Sequence, residues 1–377
     1  MHRLPCIEVR NSFSIAMLLT DGFGGFGGIS VFNRNFLRAL DQSAYVERIY
    51  ALPRVFVGDA GERIPEAVIY QRKAAVGKIA FLKSLIILAL SRRRVDVVIC
   101  GHLNLFCAAI LLAKIKRARL ALIIHGLESW TRPSYIPANW LLRAADSIIS
   151  VSNFSAQRFS SWSKIPVQRI FILHNCVDLD VFLPGPPDLD LARRYRVASE
   201  DKVILTVGRL DTTERLKGID QVIDIIPRLI ERYPSLKYLI VGDGSDRPRL
   251  ERKAETLGLS DRVIFAGQIP DGEKVAHYNL ADAYVMPSVG EGFGIVLVEA
   301  AACGLSIVGS RADGSREALQ DGLLGRLVDP KNQDEIMEAL IGVLADKRAH
   351  KRLNNINLFS FENFKSRVHR WCEDQVA

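Results

Sequence analysis

Apolar and polar positions along the chain fall into two alternating patterns. Short, near-continuous runs of β-branched and aliphatic residues recur, and longer amphipathic stretches separate most of them. In the first half the runs are SIAMLLT, VERIYAL, AVIYQ, DVVICG, ARLALIIHG, SIISVS and IFILHN; in the second half they are VILTVGR, KYLIVGDG, VIFAGQ, AYVMPS, LSIVGS and GRLVD. Runs this apolar predict strands buried on both faces, hence parallel sheets covered by helices. The helix expected from Lys217 shows the matching period, with Ile219, Val222, Ile223, Ile226, Leu229 and Ile230 on one face. In ENFKSRVHRWCEDQV, Phe361, Phe364, Val368 and Trp371 share a face, so this last helix should pack rather than hang free.

The stretch LPGPPD at 183–188 interrupts the alternation with prolines and a glycine. The predicted organisation is a first Rossmann-like domain over 1–183, a linker over 184–200, a second Rossmann-like domain over 201–355 and a terminal helix over 356–377. The fold class is α/β: two doubly wound domains facing each other across a cleft. In such sheets ligands meet the carboxyl ends of the strands, so the residues just after each strand matter most.

A chain of 377 residues, 24% charged, is long enough for two cores and has a globular composition. No apolar run reaches the roughly 18 residues of a membrane-spanning helix. The opening MHRLPCIEVRNS lacks the apolar segment of a signal peptide. These features predict a cytoplasmic location. The six cysteines form no C-x-x-C pair, which suggests neither a disulfide framework nor a zinc site. Charge is uneven: residues 1–183 carry 23 Lys+Arg against 12 Asp+Glu, and residues 184–377 carry 27 against 30. The basic first half suggests an anionic partner. Within it, residues 72–94 mix basic and long apolar side chains, as a membrane-surface helix does, although a sheet-covering helix shares that pattern. A peripheral position on the inner membrane face therefore stays open. Nucleic acid is not expected, because stacking aromatics and a known motif are lacking.

Four constellations carry chemistry. DGFGGFGGIS at 21–30 follows the first strand and contains G-x-G-x-x-G, which lets backbone approach a phosphate at a helix start. A dinucleotide enzyme would also want an acid ending the second strand, and VERIYALPR ends on Pro53 and Arg54. In VGRLDTTERLKG, Arg209 ends a strand and Lys217 opens the next helix; together they can hold a diphosphate and neutralise charge as it leaves. In EGFGIVLVEAAACG, Glu299 sits in an apolar helix and needs donors or a ligand, while Glu291 lies in the glycine loop before it. His125 ends a strand in HGLES, placed to hydrogen-bond a sugar hydroxyl. The two D-x-D strings, Asp178–Asp180 and Asp188–Asp190, fall at the linker and are discounted as cation sites. Neither G-x-S-x-G nor H-E-x-x-H nor a Walker loop occurs.

Together these motifs resemble the retaining glycosyltransferases of the GT-B architecture, the large bacterial mannosyl- and glucosyltransferase family called glycosyltransferase group 1. The resemblance runs from G-G-I-S through H-G, S-N-F-S (152–155), N-C-V-D (175–178) and V-G-R-L…K-G. It continues through V-G-D-G, F-A-G (265–267), E-G-F-G-I-V-L-V-E and the late D-G…G-R-L-V-D-P. It implies a hexosyltransferase that moves sugar from UDP-glucose, UDP-N-acetylglucosamine or GDP-mannose to a glycan or lipid-linked acceptor, with retention and without a metal or other cofactor. By the same resemblance Gly28 offers backbone to the diphosphate or acceptor, and His125 contacts the donor sugar. Arg209 and Lys217 bind the diphosphate, with Arg215 an alternative to Lys217. Glu291 holds hydroxyls of the donor sugar with the amides of Phe293, Gly294 and Ile295 nearby, Glu299 takes the ribose hydroxyls, and the backbone around Gly267 and Gln268 touches the base. The terminal helix would cross back onto the first domain. The acceptor loops, near 22–28, 102–106 and 127–135, are not readable by pattern. Two other readings remain open: a nucleotide-sugar epimerase or hydrolase of the same shape, and a membrane-surface binding protein.

Overall fold

A computed structural model describes residues 12–25, 27–58, 61, 63–134, 139–345 and 354–376. The signal-peptide expectation at the N-terminus and Cys6 lie outside the described residues, as do Phe26 and Tyr135 of the acceptor loops and residues 346–353 of the second domain.

The first domain is a seven-stranded parallel sheet of order β3-β2-β1-β4-β5-β6-β7. Its strands are β1 (Phe13–Leu19), β2 (Val46–Pro53), β3 (Val68–Tyr70), β4 (Val97–Cys100), β5 (Arg119–Ile124), β6 (Ser147–Ser150) and β7 (Ile170–Ile172). Helices α1 (Gly28–Asp41), α2 (Lys78–Leu90), α3 (Phe106–Lys116), α4 (Leu127–Trp130) and α5 (Asn153–Ser163) connect them. The short α6 (Leu189–Arg194) leads to a six-stranded parallel sheet of order β10-β9-β8-β11-β12-β13. That sheet holds β8 (Lys202–Val207), β9 (Leu236–Val241), β10 (Val263–Gly267), β11 (Ala283–Met286), β12 (Ser306–Ser310) and β13 (Arg326–Val328). Its helices are α7 (Ile219–Arg232), α8 (Arg247–Thr256), α9 (Lys274–Leu280), α10 (Ile295–Ala302), α11 (Ser315–Ala318) and α12 (Gln333–Ala345), and α13 (Phe361–Val376) ends the chain. Each predicted apolar run forms one strand. Strand order reverses between β1 and β4 and between β8 and β11, and those are the points where ligands bind in open parallel sheets.

The terminal helix does cross back. Val177 N–H donates to Phe359 O at 2.9 Å, and α13 then runs along α1. Its apolar face buries Phe364, Val368, Trp371 and Cys372, with Phe364 edge-on to Phe32 and Trp371 beside Phe36. Trp371 Nε1 donates to Ser147 Oγ at 3.0 Å, which satisfies the one polar atom of that ring.

The segment at 184–200 is less of a free tether than its composition suggests. Asp188 caps α6 by accepting from the backbone N–H groups of Asp190 and Leu191, so this D-x-D is a capping device. Asp178 similarly accepts from Asp180 N at 3.0 Å. Leu191 is buried in the core, and Tyr195 Oη lies 3.0 Å from His277 Nε2 of α9. Gly185 N donates to Asn279 Oδ1 at 3.1 Å. Most of the segment is thereby docked on the second domain.

Two helix boundaries differ from expectation. Lys217 does not open α7: residues Thr212–Lys217 form a 3-10 turn, Gly218 takes a left-handed φ of 78°, and α7 starts at Ile219. A Cβ at Gly218 would lie 2.3 Å from Pro287 O, so close approach and backbone conformation both select glycine there. Residues 72–94 also break, at Gly77, into a 3-10 turn (Arg72–Val76) and α2.

Candidate functional site

The carboxyl ends of both sheets face one cavity of about 660 Å³. The first domain contributes the turn after β1 with the start of α1, His102 after β4, and the His125–Glu128 turn after β5. The second domain contributes Arg209 after β8, Lys217, and the loop Gly290–Ile295 that ends in the first residue of α10. Of the residues singled out from sequence, Gly28, His125, Arg209, Lys217, Glu291, Phe293, Gly294 and Ile295 all line it.

Glu299, Gly267 and Gln268 do not line this cavity. Glu299 is buried one helical turn beyond Ile295, where its Oε2 accepts from Tyr278 Oη at 2.7 Å and its Oε1 lies 3.9 Å from Lys274 Nζ. The carboxylate thus has one protein hydrogen-bond donor and a nearby cation, which offset the cost of its burial in an apolar helix. Glu299 raises the Lys274 ammonium above its ordinary value, against the cost of burial and with help from Asp271. Gly267 ends β10 at a φ of 74°, and its carbonyl accepts from Gly242 N. Arg215, the alternative to Lys217, is turned away and pairs with Asp246 at 2.7 Å.

His125 is buried, and its Nε2 lies 2.9 Å from the Gly101 carbonyl. A carbonyl only accepts, so Nε2 carries the proton and Nδ1 keeps its lone pair in the neutral ring. Burial is the main force lowering the pKa of this imidazole; nearby Glu128 and the Gly101 bond oppose it, and His102 reinforces it. A neutral His125 suits hydrogen bonding to a sugar hydroxyl better than charge stabilisation. Phe32 packs edge-on at 5.1 Å and fixes the ring.

On the opposite wall Lys217 Nζ donates to Glu291 Oε2 at 2.9 Å, with both side chains about one-fifth exposed. The pair holds a cation and an anion at the mouth of a loop whose backbone continues into α10. Gly294, at a φ of 91°, makes the sharp entry into that helix. The start of α1 faces it across the cleft: Gly28 would bring a Cβ within 3.7 Å of Ile295. Two helix starts and two cations therefore converge on one space, an arrangement that favours an anionic ligand.

Several residues that shape the site escaped the sequence reading. Asp21 Oδ1 accepts from Gly22 N at 2.6 Å, Gly24 N at 3.1 Å and Tyr70 Oη at 3.0 Å, which pins the glycine turn. Its Oδ2 is buried without a hydrogen-bond partner. Glu128 Oε1 accepts from His125 N at 2.6 Å, and His102 Nδ1 accepts from Asn104 N at 3.1 Å. Asp313, 2% exposed, accepts from Ser288 Oγ at 2.7 Å, Glu291 N at 2.8 Å and Ser315 N at 3.0 Å. Burial pushes its carboxyl up to about 6, against those three bonds and with a further push from Glu291. Asp21 and Glu128 were within reach, since each is the acid adjoining a motif already identified. Asp313 was not, because the two partners that tie it to the site, Glu291 and Ser288, lie 22 and 25 positions away.

Two doubly wound parallel-sheet domains sharing an anion-binding cleft, tied by a terminal helix, define the GT-B architecture of glycosyltransferases. Comparison places the chain within that class. Residues 190–357 match the family model described as glycosyl transferases group 1, and residues 26–181 match that of glycosyltransferase family 4. The two matches fall on the two domains, and both are glycosyltransferase models. It is 36% identical to a GDP-mannose-dependent α-(1-6)-phosphatidylinositol monomannoside mannosyltransferase of Mycolicibacterium smegmatis, over 54% of each chain. It is 32% identical to a D-inositol 3-phosphate glycosyltransferase of Geodermatophilus obscurus, over 62% of this chain and 52% of that one. The chain spans about half the length of the curated relatives it matches. Among solved structures, Anabaena HepE in complex with UDP and glucose superposes with a TM-score of 0.74 at 19% identity, covering 96% of this chain and all of that one. The apo lipopolysaccharide outer core galactosyltransferase WaaB gives 0.68 at 22% identity, covering 95% and 99%. These likenesses establish the fold.

Proposed function

We propose that the chain transfers a hexose from a nucleoside-diphosphate sugar to an acceptor hydroxyl, with retention of anomeric configuration and without a metal. The observation that carries this reading is the convergence of Arg209, Lys217 and the starts of α1 and α10 on one cleft. Departure of a nucleoside diphosphate builds negative charge, and two cations with two helix starts meet it where a metal-dependent enzyme would hold a cation. Glu291 leaves Lys217 for the sugar hydroxyls as the diphosphate takes its place. His125 Nδ1 accepts from a sugar hydroxyl beside the reacting carbon. Asp21, His102 and Glu128 give the first-domain wall the polar groups to orient the acceptor hydroxyl, which attacks the face the diphosphate leaves and gives its proton to the departing phosphate oxygen. The protein mainly positions groups and stabilises the leaving group.

The donor is UDP-glucose, UDP-N-acetylglucosamine or GDP-mannose: relatives named for GDP-mannose and a fold neighbour solved with UDP and glucose support both bases. Thermal-shift binding of UDP, GDP and ADP, with and without EDTA, tests the reading. Stabilisation by one diphosphate, unchanged by EDTA, supports a metal-free transferase and identifies the base; no shift with any of them refutes it. NMR of the product's anomeric configuration tests retention. Sugar release or epimerisation without acceptor would instead favour a hydrolase or epimerase.

The acceptor reading favours a lipid-linked glycan at an anionic membrane surface, and α2 supports it. Phe81, Leu85 and Leu88 of α2 are buried, while Ile79, Leu82, Ile86, Ile87 and Leu90 are 47–77% exposed. At 100° per residue those five lie within an arc of about 140° on the opposite face. Leu111 and Ile115 of the neighbouring α3 add 54% and 47% exposed side chains. Residues 67–127 contain 11 Lys+Arg and one acid, Asp96. A basic rim around an apolar face is what binds anionic bilayers. No helix among the described residues is long and apolar enough to cross a membrane. Sedimentation with anionic vesicles, released by salt and weakened in Ile86→Glu, checks the surface; equal recovery with and without vesicles refutes it.

A further inference from the structure

Glu317 lies on α11 of the second domain and is none of the site residues singled out from the sequence. Its carboxylate is four-fifths buried, and its four hydrogen bonds all reach the first domain. Oε1 accepts from Phe154 N at 2.7 Å; Oε2 accepts from Asn153 N at 2.8 Å, Asn153 Nδ2 at 2.9 Å and His174 Nε2 at 3.0 Å. Asn153 and Phe154 are the first two residues of α5, so an acid of one domain caps a helix of the other.

The same helix start reaches the donor loop. Ser152, the N-cap of α5, accepts from Ser155 N at 3.0 Å and donates through Oγ to Gly292 O at 2.6 Å. Ser155 Oγ donates to the same carbonyl at 3.3 Å. The His174 ring stacks on Phe293 with centroids 5.3 Å apart and planes 17° from parallel. Within the second domain, Gly314 N donates to Glu291 O at 2.9 Å, and Asp313 holds Glu291 N. Glu317, Gly314, Asp313 and the Glu291–Phe293 loop thus form one hydrogen-bonded unit, and α5 grips it at two points.

We propose that Glu317 is a positioning residue: by capping α5 of the opposite domain it latches the two domains in the register that sets the Gly292–Ile295 loop against His125. An acid serving only the stability of its own domain would be satisfied inside it. Burial alone would raise the Glu317 pKa, yet the bonds from His174, Asn153 and Phe154 outweigh it and hold the carboxyl below its ordinary value. The latch is reversible, because on separation water replaces these donors at both the carboxylate and the helix start. Closure and loop placement are therefore one event.

The activity readout rests on the transferase reading, whereas the structural readout does not. Small-angle X-ray scattering of the ligand-free chain, comparing wild type with Glu317→Ala, Glu317→Gln and Glu317→Asp, measures the latch without any substrate. Glu317→Ala should show a larger radius of gyration, Glu317→Gln a smaller increase, and Glu317→Asp partial recovery. Turnover should fall in the same order, by on the order of 10- to 100-fold in Glu317→Ala, as expected when reacting groups are misplaced by about 1 Å. Affinity for UDP or GDP, whose proposed cations Arg209 and Lys217 both lie in the second domain, should fall far less than turnover, so kcat falls while donor binding persists. Wild-type scattering in Glu317→Ala would overturn the proposal even if the melting temperature dropped. Should Glu317→Ala not fold, Glu317→Gln at wild-type scattering and turnover would overturn it instead. Altered scattering in a chain that transfers no sugar would uphold the latch and refute only the transferase reading.

Discussion

Gly292 offers a test of how tightly the cleft must close. It sits in the donor loop between Glu291 and Phe293, and its φ lies outside the left-handed region, so alanine costs no backbone strain in its own loop. A Cβ there would fall 2.1 Å from the His125 carbonyl oxygen and 3.0 Å from Gly126 Cα, both backbone atoms of the opposite domain. Real Cβ atoms essentially never come within 3.0 Å of such atoms, so the loops must part by about 1 Å. His125 and the Phe293–Ile295 amides sit on the two sides of that gap, and a displacement of about 1 Å between reacting groups costs on the order of 10²-fold in rate. On the transferase reading, Gly292→Ala should therefore lower kcat about 100-fold while affinity for UDP or GDP falls far less. Gly272→Ala is the matched control, because nothing lies within 4 Å of its added Cβ. Steady-state kinetics at saturating donor, with melting temperatures for both variants, provide the comparison. Turnover in Gly292→Ala within about threefold of the control would show that the 2.1 Å contact is not part of the working geometry, and the argument from closure would fail.

Lys217→Ala and Arg209→Ala should each reduce turnover by on the order of 10²–10³, the usual cost of removing one charge-stabilising donor; wild-type turnover in either would remove that residue from the diphosphate site. Tyr278→Phe deletes the 2.7 Å hydrogen bond to buried Glu299 and should cost about 1–3 kcal/mol, read as a lower denaturant midpoint; an unchanged midpoint would show Glu299 satisfied elsewhere. Asp313 predicts a pH dependence: its folded-state value of about 6 exceeds the ordinary 3.8, so the protonated form stabilises the fold fully below pH about 4, and that contribution is lost as pH rises through about 6. The gap corresponds to roughly 3 kcal/mol. Asp313→Asn removes the titration, so the stability of wild type relative to the variant should shrink between pH 4 and 7, and a constant difference would refute the assignment.

Strand positions were legible because each buried parallel strand must be apolar on both faces, a constraint written in consecutive residues such as Ile15–Leu19 and Val97–Cys100. The candidate site was legible in the same way wherever a residue lies just after a strand, as His125 does directly and Arg209 one residue on, since topology delivers strand ends to the cleft. Lys217 was placed at the cleft but on the wrong element, because the conformation of Gly218 depends on Pro287, a contact 69 positions away that no local pattern encodes. The 72–94 segment shows the converse limit. Its apolar positions surround the helix, and only the structure separates the face on the sheet from the face left to solvent.

The residues least visible in sequence are those whose partners lie in the other domain. Ser152 reads as an ordinary N-cap of α5 and Glu317 as an ordinary helix residue, yet their bonds to Gly292 and to Asn153 and Phe154 cross the cleft. A lone sheet-bound domain would need neither. The donor loop is thus held by two kinds of force: Asp313 fixes it within its domain through buried hydrogen bonds, and α5 fixes it against the first domain through bonds that water can replace. The first kind sets the loop's shape and the second its position relative to His125. On the transferase reading, whose chemistry is mostly positioning, the two are best kept separable, because the loop then accepts a donor while the cleft is open and presents it only once the cleft is shut.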